Sequence, residues 1–210
     1  MQPVIIIGSG GHARVLLEIL RMQKRRVLGF IDNDSSKKAV NGLPILGDDY
    51  SITAYEPGSV KLVNGIGSVG DNSLRKKIYS YYKSLGYEFL SVIHPTAFVS
   101  ESAVLAEGVQ LMAGCIVQTN SKIGCNTLVN TKASIDHDCI IGSHVHIAPG
   151  CTLSGNVTVS DDVHLGTAAA VIQNIFIAGH CLIGAGAVVA ADITEENIKV
   201  VGVPAKRGRE

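Results

Sequence analysis

The sequence predicts two parts, a small α/β unit over residues 1–90 and a parallel β-helix over residues 91–210 with its C-terminal tail, and three observations carry that prediction. First, residues 93–194 divide without a gap into 17 six-residue blocks, each opening on Ile, Val or Leu. Second, the fifth residue of a block is mostly Ala, Cys, Val, Ser or Thr, which fixes a second inward position. Third, the composition changes near His94-Pro95: mixed helix and strand patterns, most of the Tyr and most of the basic residues precede it, and a Gly-, Val- and Ile-rich stretch follows. A helix returns its apolar residues every 3.6 positions and a simple strand every 2, so a period of six fits neither. It fits short strands stacked in coils around a continuous apolar column.

The elements follow in order. Val4-Ile5-Ile6-Ile7 is a buried strand, and residues 12–22 are helical with Val15, Leu16, Ile19 and Leu20 on one face. Residues 27–31 form the next strand, and Asn41-Gly42 with Pro44 supplies turn chemistry in the connection after it. A further strand over 61–66 precedes a helix over 72–85. Strand, helix and strand in that order, twice, make a small Rossmann-like unit.

Composition excludes several classes of function. The 18 Lys and Arg balance 18 Asp and Glu, so no basic field is available to hold a polynucleotide. The first residues read as a strand and not as a signal segment, and no uninterrupted 18-residue apolar stretch occurs. A soluble cytoplasmic protein is expected, with neither nucleic acid nor membrane as partner. Five cysteines are an odd number with no Cys-x-x-Cys pair, against a disulfide framework or a zinc knuckle. Cys115, Cys139, Cys151 and Cys181 fall at the small inward position of their blocks, where they are core filler.

Between the first strand and the first helix stands Gly8-Ser9-Gly10-Gly11-His12-Ala13, and Asp32 ends the second strand. Glycines admit a phosphate to the helix N-terminus, and a carboxylate after the second strand accepts from a ribose hydroxyl. A tight turn needing glycine for its backbone angles is the plain alternative. The unit is too short for two mononucleotide halves, so one nucleotide is the expected ligand and NAD is not. His12, in the first turn of a helix, suits a neutral hydrogen-bonding role. His137, His144, His146, His164 and His180 cluster in the repeat, and Asp136 and Asp138 flank His137. A carboxylate that reaches the imidazole makes it a better proton acceptor.

The repeat, together with the tail Val201-Gly202-Val203-Pro204-Ala205-Lys206, resembles the hexapeptide acyltransferases, which implies a left-handed β-helix of three blocks per coil. On that scheme 17 blocks make nearly six coils and a prism roughly 27 Å tall at about 4.8 Å per strand. Joined to the glycine turn, the chain is similar to the bacterial acetyltransferases that act on UDP-4-amino-sugars in the bacillosamine pathway and to sialic acid O-acetyltransferases. The resemblance implies that Gly10, Gly11, His12, Asp32, Asn33 and Gly67 hold the UDP-sugar, with Asn33 standing where the family has a second acid. It implies His137 as general base and Asp138 as its acidic partner, within Asn130-Thr131-Lys132-Ala133-Ser134-Ile135-Asp136-His137-Asp138-Cys139. It further implies His146 near the reactive end of acetyl-CoA, backbone contacts from Thr167 and Ala185 to the pantetheine arm, and a homotrimer.

The expected activity is acetyl transfer from acetyl-CoA, as cosubstrate and without a metal, to the 4-amino group of a UDP-linked deoxysugar. Sugar O-acetylation is the nearest alternative. His146 and His164 lie 18 residues apart and should stack, so a zinc carbonic-anhydrase-like site with His137 ranks below it, since it leaves the glycine turn unexplained. A noncatalytic nucleotide-sugar-binding β-helix ranks last.

Overall fold

The computed structural model describes residues 2–208. The N-terminal part is a five-stranded sheet with two helices: β1 (Val4–Ile7), α1 (Gly11–Met22), β2 (Val27–Ile31), β3 (Ala39–Val40), β4 (Leu43–Gly47), β5 (Lys61–Asn64) and α2 (Ser73–Ser84), in spatial order β3-β4-β2-β1-β5. β1 runs parallel to both β2 and β5, as helical crossovers require. Asn41 and Gly42, both at positive φ, form the two-residue turn that pairs β3 antiparallel with β4. The anticipated strand over 61–66 stops at Asn64, where the chain turns toward the glycine loop. The helical face differs from the expected one by one residue: Leu17 is buried and Val15 is 45% exposed. α1 is covered on two sides, by its own sheet and by Met112 and Leu128 of the repeat, and this second contact shifts its apolar stripe.

From Val92 onward every block contributes one two-residue strand, giving 17 in all from Val92–Ile93 to Val188–Val189. Each pairs in parallel with the strand 18 residues away, so three blocks make one coil and the strands form three sheets. One sheet runs from Phe98–Val99 to Val188–Val189, a second from Val104–Leu105 to Phe176–Ile177, and a third from Val92–Ile93 to Leu182–Ile183. The third is extended by two tail strands, Lys199–Val201 and Lys206–Arg207. First and fifth block positions fill one apolar column, including Leu111, Cys115, Val117, Cys139, Ile147, Leu165 and Cys181. Burial raises the pKa of each of the four column thiols, so they stay protonated and inert.

The fourth position of a block is a left-handed corner. Gly108, Gly114, Asn120, Asn126, Lys132, Asp138, His144, Gly150, Asn156, Asp162, Ala168, Asn174, His180 and Gly186 all have φ between 56 and 71°. Gly, Asn and Asp tolerate that region best, which explains much of what occupies it.

The α/β unit docks on the outer face of the third sheet. Outward residues that would otherwise meet water, Gln110, Leu128, His146 and His164, are buried beneath it. Asn64 donates to Asn126 at 3.0 Å, the Asn72 amide to the carbonyls of His144 and Val163, Lys76 pairs with Asp162 at 2.7 Å and Lys83 with Glu107 at 2.8 Å. Arg75, fully buried, donates to the carbonyls of Asn64, Ile66 and Asn126. Desolvation lowers its pKa to about 9, which leaves it charged at neutral pH. Among the described residues no helix is long and apolar enough to cross a membrane.

Candidate active site

His137 occupies the corner between the first and second sheets, one residue before a left-handed position. Its imidazole is exposed, and Nδ1 lies 2.8 Å from Asp138 Oδ2. A carboxylate can only accept, so Nδ1 carries the proton and the neutral ring presents the Nε2 lone pair. The two flanking acids divide their work. Asp138 takes the ring, whereas Asp136 accepts the His137 backbone N–H at 2.8 Å. The hydrogen bond that Nδ1 donates to Asp138, with the charges of Asp136 and Asp138 behind it, raises the His137 pKa above the ordinary histidine value, and the same bond lowers that of Asp138.

What gives the ring its place is Gly155, one coil along. A Cβ on Gly155 would sit 2.5 Å from both Cε1 and Nε2 of His137, closer than any real contact. Sequence reasoning missed Gly155, yet the signal was present: it lies 18 residues from His137, one coil in this register.

The glycine turn is built at the carboxyl ends of β1 and β2. Gly8 has φ +85° and its missing Cβ makes room for Ile66, so the turn itself requires it. Gly10 and Gly11 are different: no left-handed backbone is involved, a Cβ on Gly10 would meet nothing within 4 Å, and one on Gly11 only the Arg14 guanidinium at 3.9 Å. Nothing inside the chain demands glycine there. α1 begins at this point without a side-chain cap or a first-turn acid, which leaves its first N–H groups uncapped by any side chain. Asp32 accepts from the Ser9 backbone N–H at 3.0 Å and from the Ser9 hydroxyl, and Lys37 reaches the same carboxylate at 3.1 Å and Ser9 Oγ at 3.2 Å. The charge of this lysine beside the glycine turn was not anticipated from sequence. Asn33 is tied to Asp49 by two bonds, and a cavity of about 440 Å³ opens beside them, lined also by Tyr50, Lys77 and Tyr81. Gly67 lies beside His12, with a Cβ-to-Cβ approach of 3.5 Å were it alanine.

Several histidines line the junction of the two parts. His12 Nε2 meets Gln110 Oε1 at 2.7 Å, and burial lowers its pKa to about 4, consistent with a neutral ring. Asn130 Oδ1 accepts the Thr131 N–H, which turns its amide nitrogen toward His146 Nε2 at 3.1 Å; His146 therefore carries its proton on Nδ1 and donates to Ser68 Oγ at 2.7 Å. Burial, with His164 and Arg75 nearby, lowers the His146 pKa to about 3. His146 and His164 stack as their spacing indicated, edge to face with ring centroids 4.7 Å apart. His137 stands on another corner and does not join them. Among the described residues no group of three or more His, Cys, Asp or Glu is arranged to hold a metal ion. Thr167 and Ala185 are exposed in adjacent coils at the corner between the third and first sheets, the far edge of the first sheet from His137.

Residues 3–82 match the PglD N-terminal domain family, and residues 120–155 match the bacterial transferase hexapeptide family of six repeats. The chain is 35% identical over 117 residues to a UDP-N-acetylbacillosamine N-acetyltransferase of Bacillus subtilis, a segment covering 54% of this chain and 52% of that protein. The chain thus spans about half the length of this curated relative. Among solved structures it is 37% identical to PerB of Caulobacter crescentus in complex with CoA and GDP-perosamine, with a TM-score of 0.90 over 100% of this chain and 98% of that one. It is 33% identical to the acetyltransferase domain of PglB from Neisseria gonorrhoeae, with a TM-score of 0.92 over 99% and 100%. That domain has also been solved with acetyl coenzyme A.

Proposed function

The chain belongs to the family of acetyl-CoA-dependent sugar N-acetyltransferases that join a PglD-type N-terminal domain to a hexapeptide-repeat β-helix, and on that premise we propose that it acetylates the 4-amino group of a nucleotide-linked amino-deoxysugar, with His137 as general base. The observation that carries the reading is the exposed His137–Asp138 pair, 2.8 Å apart, with Nε2 left free. As the sugar amine attacks the thioester carbonyl, its C–N bond forms and the nitrogen must lose a proton; His137 Nε2 accepts it. Asp138 stabilises the imidazolium. The tetrahedral intermediate then collapses with loss of the C–S bond, and His137 returns the proton to the leaving thiolate. Transfer is direct, without an acyl-enzyme.

Gly10, Gly11 and the start of α1 receive the diphosphate, with His12, Asp32, Asn33 and Gly67 around the nucleotide and sugar. UDP is the nucleotide of the Bacillus relative's substrate and is the first choice; GDP is the second, favoured by PerB, which matches over the whole chain and was solved with GDP-perosamine. His146, Thr167 and Ala185 contact acetyl-CoA. In a single chain Thr167 and Ala185 lie on a different corner from His137, which supports a homotrimer in which a neighbouring copy's donor-binding corner meets His137.

The test is an acetyl-CoA assay against UDP- and GDP-linked 4-amino-sugars and sialic acid, with the His137→Ala variant beside the wild type. Turnover of a 4-amino-sugar that falls by about 10² to 10⁴ in the variant is the expected result. Turnover of sialic acid alone, or an unaffected variant, would overturn the assignment.

A further inference from the structure

One coil below Asp138, Asn120 occupies the equivalent left-handed corner, and both residues have φ 60°. The Asn120 amide donates from Nδ2 to Asp138 Oδ1 at 3.1 Å, while Asp138 Oδ2 accepts from His137 Nδ1 at 2.8 Å. Each carboxylate oxygen thus has one assigned donor. The backbone holds the pair in register: Asn120 N–H donates to Ser102 Oγ at 3.0 Å and Asp138 N–H to the Thr119 carbonyl at 3.0 Å. Together with Ser102, Lys122 and Ile140 the two side chains line an open groove of about 410 Å³ beside the His137 corner.

A carboxylate bonded only to His137 would rotate about its Cβ–Cγ bond and release the ring for part of the time. Water competes freely at this exposed corner, so a second, geometrically fixed donor decides how persistently the ring is held. We propose that Asn120 is a positioning residue for acetyl transfer, acting through Asp138 to fix the orientation and Nδ1–H tautomer of His137. The proposal rests on His137 being the general base.

Asn120→Ala tests it, and the fold accommodates the change because Ala168 already occupies the same register position at φ 56°. ¹⁵N NMR of the imidazoles reads the tautomer and titration of His137 directly, without turnover. Asp138 freed of its donor holds the imidazolium less well, so the His137 midpoint should fall toward the ordinary histidine value by about half a pH unit, with loss of part of the Nδ1–H population. Turnover should drop about three- to tenfold with KM for both substrates unchanged. Asn120→Asp keeps the shape but removes the donor and adds charge, and should move the midpoint upward instead. A His137 titration and tautomer identical to wild type in Asn120→Ala would overturn the proposal, even where His137→Ala abolishes turnover. Conversely, the NMR shift accompanied by full turnover in His137→Ala would leave the contact standing and remove the general-base reading it serves.

Discussion

His137 is an exposed side chain whose chemistry depends on two neighbours, one adjacent in the chain and one a coil away. Asp138 bonds its Nδ1 from the adjoining position, and Gly155, 18 residues on, leaves the space in which the ring lies. As the proposed base, His137 would work only when neutral, and its pKa is raised chiefly by the Asp138 hydrogen bond. Turnover should therefore fall as pH drops through a midpoint above the ordinary histidine value of about 6.5. Asp138→Asn removes the main cause: the acidic limb of a kcat profile should move to lower pH, and the plateau should fall by about tenfold or more as the tautomer is lost. A limb unmoved by the substitution would show that Asp138 does not govern the ring. The His137–Asp138 pair was legible in the sequence. Gly155 and Asn120 were not singled out, because each gains meaning only when the chain is read at one coil and not at one block.

Among the elements, the repeat was the most legible and the docked face the least. Two inward positions recurring at six predict the 17 strands and their apolar column, since only stacking buries such a pattern. The left-handed corners were equally present in the sequence, as Gly, Asn or Asp at most fourth positions. His146 and His164 stand at outward positions, which a repeat alone marks as surface; a separate element covers them, and no period in the sequence encodes which of three faces it chooses. The glycine turn illustrates a finer division. Gly8 serves the backbone, whereas Gly10 and Gly11 serve nothing within the chain. Gly11→Val should consequently fold normally yet exclude the phosphates from the start of α1. Isothermal calorimetry should show nucleotide-sugar affinity reduced by about tenfold or more with CoA affinity unchanged, a change of about 1.4 kcal/mol at least. Equal loss of both ligands would contradict the separation of acceptor and donor sites.

For the molecule as a whole, stability is tied to pH through the junction. His12 and His146 are buried and neutral, with pKa values lowered from 6.5 to about 4 and about 3. The unfolded chain takes up these protons below about pH 6.5, while the folded chain does so only near the lowered values. Stability from this source is thus complete above pH 6.5 and is lost as pH falls toward 4, at up to about 1.4 kcal/mol per pH unit for each histidine. Urea unfolding at pH 7.5 and pH 5 should reveal the slope, and His12→Gln, which cannot titrate, should flatten it. A pH-independent unfolding free energy would show that these rings are hydrated in solution.

A stack of near-identical coils has no landmark of its own. Strands paired one coil out of step would recover most of the same backbone bonds and bury similar side chains, at modest cost. The α/β unit removes that ambiguity. It touches Gln110, Asn126 and Leu128, His144 and His146, and Asp162 and Val163, residues drawn from consecutive coils and chemically unlike one another. Only one alignment gives Arg75 the Asn126 carbonyl and Lys76 its carboxylate. Because this unit precedes the coils along the chain, it is already synthesised when they emerge, and it acts as a gauge against which the growing column is counted.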